Sequence, residues 1–167
     1  MTIKIAINGF GRIGRSVFRI LSRRDDIEVV AINDLFHNEA LAYLLKYDTI
    51  MGTFEKDVTY DEEYLHVGAQ KILMTKERDP AKAKWGELGV DVVVESTGVF
   101  RQRKQLEKHL DAGAKRVLLT VPPKDEIDAM VVYKVNDHIL KKEHRIISNA
   151  SCTTNCLAPV AHVLNDT

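Results

Sequence analysis

The chain has no long apolar run: Val90 to Val94, with Asp91 inside it, is far short of the roughly 18 residues a membrane span needs. It has no excess of either charge, with 24 Lys plus Arg against 24 Asp plus Glu, so no global field draws it toward nucleic acid or a lipid surface. No basic, apolar and small-residue succession opens it, so no signal peptide is expected. It has only two cysteines, Cys152 and Cys156. Secreted domains staple themselves more widely, so a reducing cytoplasm is the expected compartment. No second Cys or His pair completes a four-ligand set around them, so no metal is expected. Internal repeats and low-complexity linkers are also missing.

What remains is a composition of 45% apolar and 29% charged residues over 167 positions, enough for one domain with a sheet covered on both faces. Strand and helix patterns alternate. Ile3 to Ile7 reads as a strand, and Arg12 to Leu21 as a helix with an apolar face of Ile13, Val17, Ile20 and Leu21. Ile27 to Ile32 reads as a strand and Asn38 to Leu45 as a helix. Val92 to Val94, Gln102 to Leu110 and Val117 to Leu119 repeat the strand–helix–strand rhythm. Uninterrupted apolar strands call for burial on both faces, as in parallel sheets. The expected fold is therefore α/β: a Rossmann-type, doubly wound, mostly parallel sheet with helices on both faces. Asp57 to Thr75 breaks the rhythm and reads as a small hairpin excursion. Residues 1–150 form the expected dinucleotide-binding domain, and residues 151–167 a helix leading toward a further domain.

Gly9-Phe10-Gly11-Arg12-Ile13-Gly14 is a GxGxxG turn placed directly after the first strand and opening a helix. The first glycine allows the tight turn, the second a close approach to a pyrophosphate, and the third tight packing of helix on strand. The helix N-terminus adds unpaired N–H groups and the positive end of its dipole. An acidic residue is required about 20 residues on, at the end of the second strand. Asp34 stands there. Its carboxylate suits the two hydroxyls of an adenosine ribose and repels a 2′-phosphate, so NAD is expected over NADP. The structural alternative is a plain glycine turn with Asp34 capping the next helix.

A second constellation is Ser148-Asn149-Ala150-Ser151-Cys152-Thr153-Thr154-Asn155, after an apolar strand at Arg145 to Ile147 and before an apolar helix over Cys152 to Leu164. Small polar residues cap helices. They put Cys152 in the first turn, where the dipole supports a thiolate and backbone N–H groups can stabilise an oxyanion. A base is normally paired with such a thiol. His162 lies ten residues on, about 15 Å along a straight helix, too far to serve. His109 reads as a solvated surface residue, and His37, His66, His138 and His144 suggest no pairing. Cys156, one turn into the helix, reads as a buried structural cysteine.

Met1 to Arg15, Ala31 to Asp34, Leu44 to Asp48, Glu95 to Phe100 and above all Ser148 to Cys156 (SNASCTTNC) resemble the phosphorylating glyceraldehyde-3-phosphate dehydrogenases. The resemblance runs the length of the chain and covers about the first half of a family member. It implies that Arg12 and Ile13 lie along the NAD pyrophosphate, that Asp34 holds the adenine ribose, and that the Arg78 backbone approaches the adenine. It implies that Ser96, Thr97 and Gly98 line the cofactor cleft and that Thr120 sits near the nicotinamide ribose. Cys152 becomes the nucleophile, with Ser151 and Thr153 touching glyceraldehyde 3-phosphate and inorganic phosphate. The chemistry implied is thiohemiacetal formation, hydride transfer to NAD and phosphate attack on the thioester, in a glycolytic homotetramer.

Some positions depart from the family pattern: Val121-Pro122-Pro123-Lys124, Lys134 where a glycine is usual, and no His before Gly52. Family members carry the activating histidine and the substrate-phosphate arginine beyond the position of Thr167. The expectation is therefore NAD binding without turnover by these residues alone. The apolar face of Leu157, Val160, Ala161 and Leu164 is likewise expected to need a covering surface. Two other readings share the motifs. One is the related erythrose-4-phosphate dehydrogenase. The other is a stand-alone NAD-binding module with Cys152 as a redox sensor.

Overall fold

The computed structural model describes residues 2–166. The strands are β1 (Ile3–Asn8), β2 (Ile27–Asn33), β3 (Val58–Tyr60), β4 (Tyr64–Val67), β5 (Gln70–Thr75), β6 (Val92–Glu95), β7 (Arg116–Leu119), β8 (Ala129–Met130) and β9 (Ile146–Ser148). The helices are α1 (Arg12–Leu21), α2 (Asn38–Lys46), α3 (Arg103–Asp111) and α4 (Cys152–Asp166). All nine strands join one sheet in the order β3-β4-β5-β2-β1-β6-β7-β9-β8. Strands β5, β2, β1, β6, β7 and β9 run parallel, and β8 adds a further parallel edge. Taken in chain order these six are the third, second, first, fourth, fifth and sixth, the doubly wound arrangement of dinucleotide-binding sheets.

Alternation along the strands divides the core into two layers. Ile5 and Ile7 of β1 pack with Phe18 of α1 and with Leu41 and Leu45 of α2. Ala6 points to the other face, where Trp85, Val90, Val93 and Ala114 gather. Leu106 of α3 continues the non-α1 coverage over Val117, Leu119 and Ile146.

Two details differ from the sequence reading. In α1, Ile13 and Ile20 are 50% and 60% exposed, and burial falls on Gly14, Phe18 and Arg19. The covered stripe runs Gly14, Val17, Phe18 and Leu21, an i, i+3, i+4, i+7 face centred on the large ring. Arg19 is buried because its guanidinium ties the C-terminal end of α2 to the loop after it: Nη2 donates to Leu45 O at 2.6 Å and Nη1 to Gly52 O at 2.9 Å. The excursion over 57–75 is an antiparallel β3-β4-β5 ribbon whose last strand turns back parallel to β2. It therefore supplies the third strand of the main sheet. Lys134, at the departure from the family's glycine, sits at φ +65°, a left-handed conformation costly for a side chain.

The far edge is pinned by Asp128, just before β8. Its carboxylate accepts from Arg145 N–H at 2.7 Å, Ile146 N–H at 2.9 Å and Arg103 Nη2 at 2.5 Å. Burial opposes ionisation, but the Ile146 N–H, the Arg103 guanidinium and the Arg145 N–H outweigh it and hold the group down to about 2. A folded value below the unfolded one stabilises the fold above the ordinary carboxylate range, and that stability is lost as pH falls toward 2. At 21% side-chain exposure, the shift corresponds to about 2 kcal/mol at neutral pH. Asp128→Asn is expected to lower the unfolding free energy, read from urea melts, by that amount at pH 7, with most of the gap closed at pH 2.

Candidate functional site

Because the six central strands are parallel, their carboxyl ends lie along one edge of the sheet, and the chemistry-bearing loops follow from those ends. The Gly9–Gly14 turn leaves β1, Asp34 leaves β2, and Glu77 and Arg78 follow β5. Ser96 to Gly98 leave β6, Thr120 leaves β7, and Ala150 to Cys152 leave β9. From β2 to β9 there are four strand spacings, about 19 Å at ~4.8 Å each. Connections diverge to opposite sides between β1 and β6, the point where open α/β sheets form a binding crevice.

The glycines at this point have different tasks. Gly9 sits at φ +92°, and a Cβ there would lie 2.7 Å from Thr97 N. A Cβ on Gly14 would lie 2.1 Å from the Gly9 carbonyl oxygen, so α1 could not approach the turn. Gly11 has nothing within 4 Å of the added carbon: its free side is open space. Helix α1 starts immediately after it at Arg12, with no side-chain cap and no acidic residue in its first turn. The helix start thus presents N–H groups and the positive dipole end to that opening. Two guanidiniums flank it. Arg12 pairs with Asp48 at 3.2 Å, and Arg15 donates to Phe10 O at 2.9 Å. Burial and the nearby Arg12 charge pull Arg15 below its ordinary value.

A cavity of about 400 Å³ opens here, lined by Gly9, Gly11, Asp34, Arg78, Ser96 and Thr97 among the expected residues. It is also lined by Asn8, Asn33, Leu35, Phe36, Glu77, Val99 and Phe100, which sequence reasoning did not single out. Leu35 and Phe36 are 49% and 69% exposed, an apolar rim suited to a planar ring. Arg12, Ile13, Gly14, Gly98, Thr120, Ser151, Cys152 and Thr153 do not line this cavity. Arg12 and Ile13 stand exposed in the first turn of α1, and Gly14 is the packing glycine. Gly98 takes φ +73°, and Thr120 donates through Oγ1 to Glu95 O at 3.1 Å.

Asp34 ties the cavity wall together. One carboxylate oxygen accepts from Phe10 N–H at 2.7 Å and the other from Phe36 N–H at 3.0 Å. It does not cap the next helix, whose N-cap is His37. Each oxygen keeps a lone pair for a ligand donor.

At the β9 end, Ser151 caps α4 by accepting Thr154 N–H at 2.9 Å. Cys152 is the first helical residue, exposed and unbridged. Ala150 before it takes φ +58°, a strained conformation for alanine that turns the chain from strand into helix. Asn155 Nδ2 donates to Asn149 O at 2.6 Å and Ser151 O at 2.9 Å, holding that turn closed. Ser151 Oγ and Thr153 Oγ1 stand 2.9 Å apart beside the thiol-bearing residue.

Two expectations are overturned. Cys156 is exposed, because α4 is largely uncovered along its length. His109 is not solvated: it is completely buried, between Glu95 and Trp85, with Nε2 2.9 Å from Glu95 Oε2 and Nδ1 accepting from Trp85 Nε1 at 3.1 Å. The i, i+3 spacing from Leu106 puts His109 on the covered face of α3, a signal that was there to read. Among the described residues no group of three His, Cys, Asp or Glu could hold a metal, and no helix is long and apolar enough to cross a membrane.

Residues 3–103 match the family model described as "Glyceraldehyde 3-phosphate dehydrogenase, NAD binding domain". The chain is 55% identical over 166 residues to the cytosolic glyceraldehyde-3-phosphate dehydrogenase of Trypanosoma brucei brucei. It is 52% identical over 167 residues to the enzyme of Geobacillus stearothermophilus and 54% over 166 to that of Salmonella typhimurium. Each match takes in 99% of this chain and 50% of the relative, so the chain spans about half the length of the curated relatives it matches.

Proposed function

The chain belongs to the glyceraldehyde-3-phosphate dehydrogenase family, residues 3–103 being its NAD-binding domain, and from that premise we propose a role for each part of the site. The pyrophosphate lies against the open side of Gly11, on the N–H groups of Arg12 and Ile13. Asp34 takes the adenine ribose, and Leu35, Phe36 and the Arg78 backbone flank the adenine. Ser96, Thr97 and Gly98 border the central part of the dinucleotide, with Gly9 and Gly14 shaping the turn and Thr120 beside the nicotinamide ribose. The observation that carries this reading is that Gly11's open side and Asp34 belong to one cavity at the start of an uncapped helix. The fit is specific: the only glycine of the turn with free space is the one where a phosphate must approach.

When bound, NAD supplies the two-electron acceptor for the aldehyde. Cys152 is the nucleophile, placed at a helix start whose N–H groups face a developing oxyanion. Ser151 and Thr153 offer hydroxyls to the aldehyde substrate and to inorganic phosphate. Residues 1–150 act as the cofactor domain, and 151–167 carry the nucleophile onward. The whole protein is proposed to convert glyceraldehyde 3-phosphate and inorganic phosphate to an acyl phosphate in glycolysis, as a cytoplasmic homotetramer.

Titration calorimetry tests the cofactor assignment directly. NAD is expected to bind and NADP to bind more weakly, because a 2′-phosphate would face the Asp34 carboxylate. Asp34→Ala is expected to weaken NAD about tenfold or more, since charge-assisted hydrogen bonds are lost. Equal NAD affinity in the variant would remove Asp34 from the ribose site.

A further inference from the structure

A chain of buried hydrogen bonds runs under the cavity floor, and the direction of each bond can be settled from its two ends. At one end the Glu77 backbone flanks Asn33: Glu77 N–H donates to Asn33 Oδ1 at 2.7 Å, and Asn33 Nδ2 donates to Glu77 O at 2.7 Å. The Asn33 amide orientation is therefore fixed. Its second N–H points at Asn8, so the facing Asn8 atom is an acceptor, Oδ1, at 2.7 Å. Asn8 must then turn its own NH₂ toward Glu95 Oε2, at 2.5 Å.

At the other end stands Trp85, the single tryptophan of the chain, whose indole nitrogen can only donate. It donates to His109 Nδ1, so that nitrogen carries no hydrogen, and the imidazole's hydrogen sits on Nε2, facing the same Glu95 Oε2. Two donors, fixed from opposite ends, thus converge on one oxygen. The other oxygen, Oε1, accepts both the backbone N–H and the hydroxyl of Thr97. Glu95 is 0% exposed and takes four donors. None of these partners is a guanidinium or an ammonium.

The carboxylate is thus an acceptor held at the centre of four neutral donors, and it bears on the cavity. Thr97 N, which Glu95 holds, is the atom a side chain on Gly9 would strike. The neighbouring Ser96 Oγ donates to Gly9 O at 2.6 Å, and Ser96 N–H to Asn8 O at 2.8 Å. The β6 loop and the glycine turn are therefore one unit, with Glu95 beneath it.

We propose that Glu95 is a positioning residue for the dinucleotide: an acceptor-only carboxylate, fed by Asn8, His109 and Thr97, that holds the Ser96–Thr97 loop against the glycine turn, with Trp85 selecting the tautomer of His109. The proposal rests on the NAD reading of the cavity for its consequence and on the hydrogen-bond directions for its mechanism. Glutamine in place of Glu95 keeps the shape but has one acceptor oxygen, so its NH₂ must confront either the fixed donors of Asn8 and His109 or the Thr97 N–H, beside which only the Thr97 hydroxyl can turn to accept.

The test compares wild type, Glu95→Gln and, as a control for lost core packing alone, Leu106→Ala, which truncates a buried side chain on the same helix as His109. Imidazole ¹⁵N spectra are expected to show His109 as the Nε2–H tautomer in wild type. In Glu95→Gln the Thr97 amide is expected to shift and exchange faster, with NAD affinity down tenfold or more. Leu106→Ala is expected to bind NAD within twofold of wild type. An Nδ1–H tautomer in wild type, an affinity for Glu95→Gln within twofold of wild type, or an equal loss in Leu106→Ala would each overturn the proposal. If Glu95→Gln does not fold, Trp85→Phe decides: it leaves the carboxylate in place and releases Nδ1. Mixed tautomers with NAD at least threefold weaker then support the proposal, and an unchanged tautomer and affinity overturn it. Failure of wild type to bind NAD would instead sink the cofactor reading, while the tautomer and the Thr97 amide would still decide the role of Glu95.

Discussion

Gly14→Ala is expected to destabilise the protein by about 4 kcal/mol, at the upper end of what overpacking does. The added carbon would stand 2.1 Å from the Gly9 carbonyl oxygen, and that obstacle is backbone, not the movable end of a side chain. Relief requires α1 to lift away from β1. Lifting α1 would withdraw Phe18 from a core that includes Phe10 and Phe54, whose rings it meets edge-on at 5.7 and 6.4 Å. Set against the ordinary 5–15 kcal/mol of a folded domain, the change is expected to leave a fold that melts far below wild type. Gly11→Ala is the informative companion. Its backbone, at φ −69° and ψ −161°, suits any residue, and the new methyl meets nothing within 4 Å. Stability is expected to stay within about 1 kcal/mol of wild type. NAD affinity is expected to fall about 30-fold or more, because the methyl stands where the phosphates must reach the helix N–H groups. Thermal melts and calorimetry on the two variants separate a packing glycine from a binding one; a Gly11→Ala protein that binds NAD like wild type would refute the cradle.

That separation marks how far the sequence could be read. The order of strands and helices, and the loops that carry Gly9, Asp34, Ser96 and Cys152, followed from local pattern, because parallel strands are apolar and their turns are punctuated by small residues. Motif spacing placed Gly11 and Asp34, since a phosphate cradle and a ribose acceptor stand at a fixed separation in a β-α-β unit. What local pattern missed was pairing between elements distant in the chain. His109 looked like a polar residue on a polar helix, and only its contact with Glu95 and Trp85 makes it core. Asn8 and Asn33, which the sequence reading did not single out, end their strands and yet are almost fully buried. Cys156 failed for the opposite reason: the expectation rested on the average behaviour of free cysteine, while the helix that carries it is largely uncovered.

Asn33 gives the second large effect. Its side chain uses its whole hydrogen-bonding capacity: two N–H groups to Asn8 Oδ1 and Glu77 O, and an oxygen accepting from Thr75 Oγ1 at 2.8 Å and Glu77 N–H at 2.7 Å. Asn33→Ala leaves four polar groups without that partner at a site only 5% exposed, and is expected to cost about 3 kcal/mol. At 2–4 °C per kcal/mol for a domain of this size, the melting point should fall by about 6–12 °C. Alanine also leaves a void, so Asn33→Asp isolates the hydrogen bonds: it keeps the volume and both acceptor roles but turns an anion toward Asn8 Oδ1 and Glu77 O. It is expected to cost at least as much as alanine at pH 7, read from urea midpoints at unchanged slope. Because Glu77, which Asn33 holds, lines the cavity, loosening it adds an ordering cost on binding, about 1–2 kcal/mol for the one residue refixed, and NAD should weaken by about tenfold. An Asn33→Asp protein as stable as wild type at neutral pH would show that the amide hydrogens carry no weight, and the fixed directions of the chain leading to Glu95 would go with them.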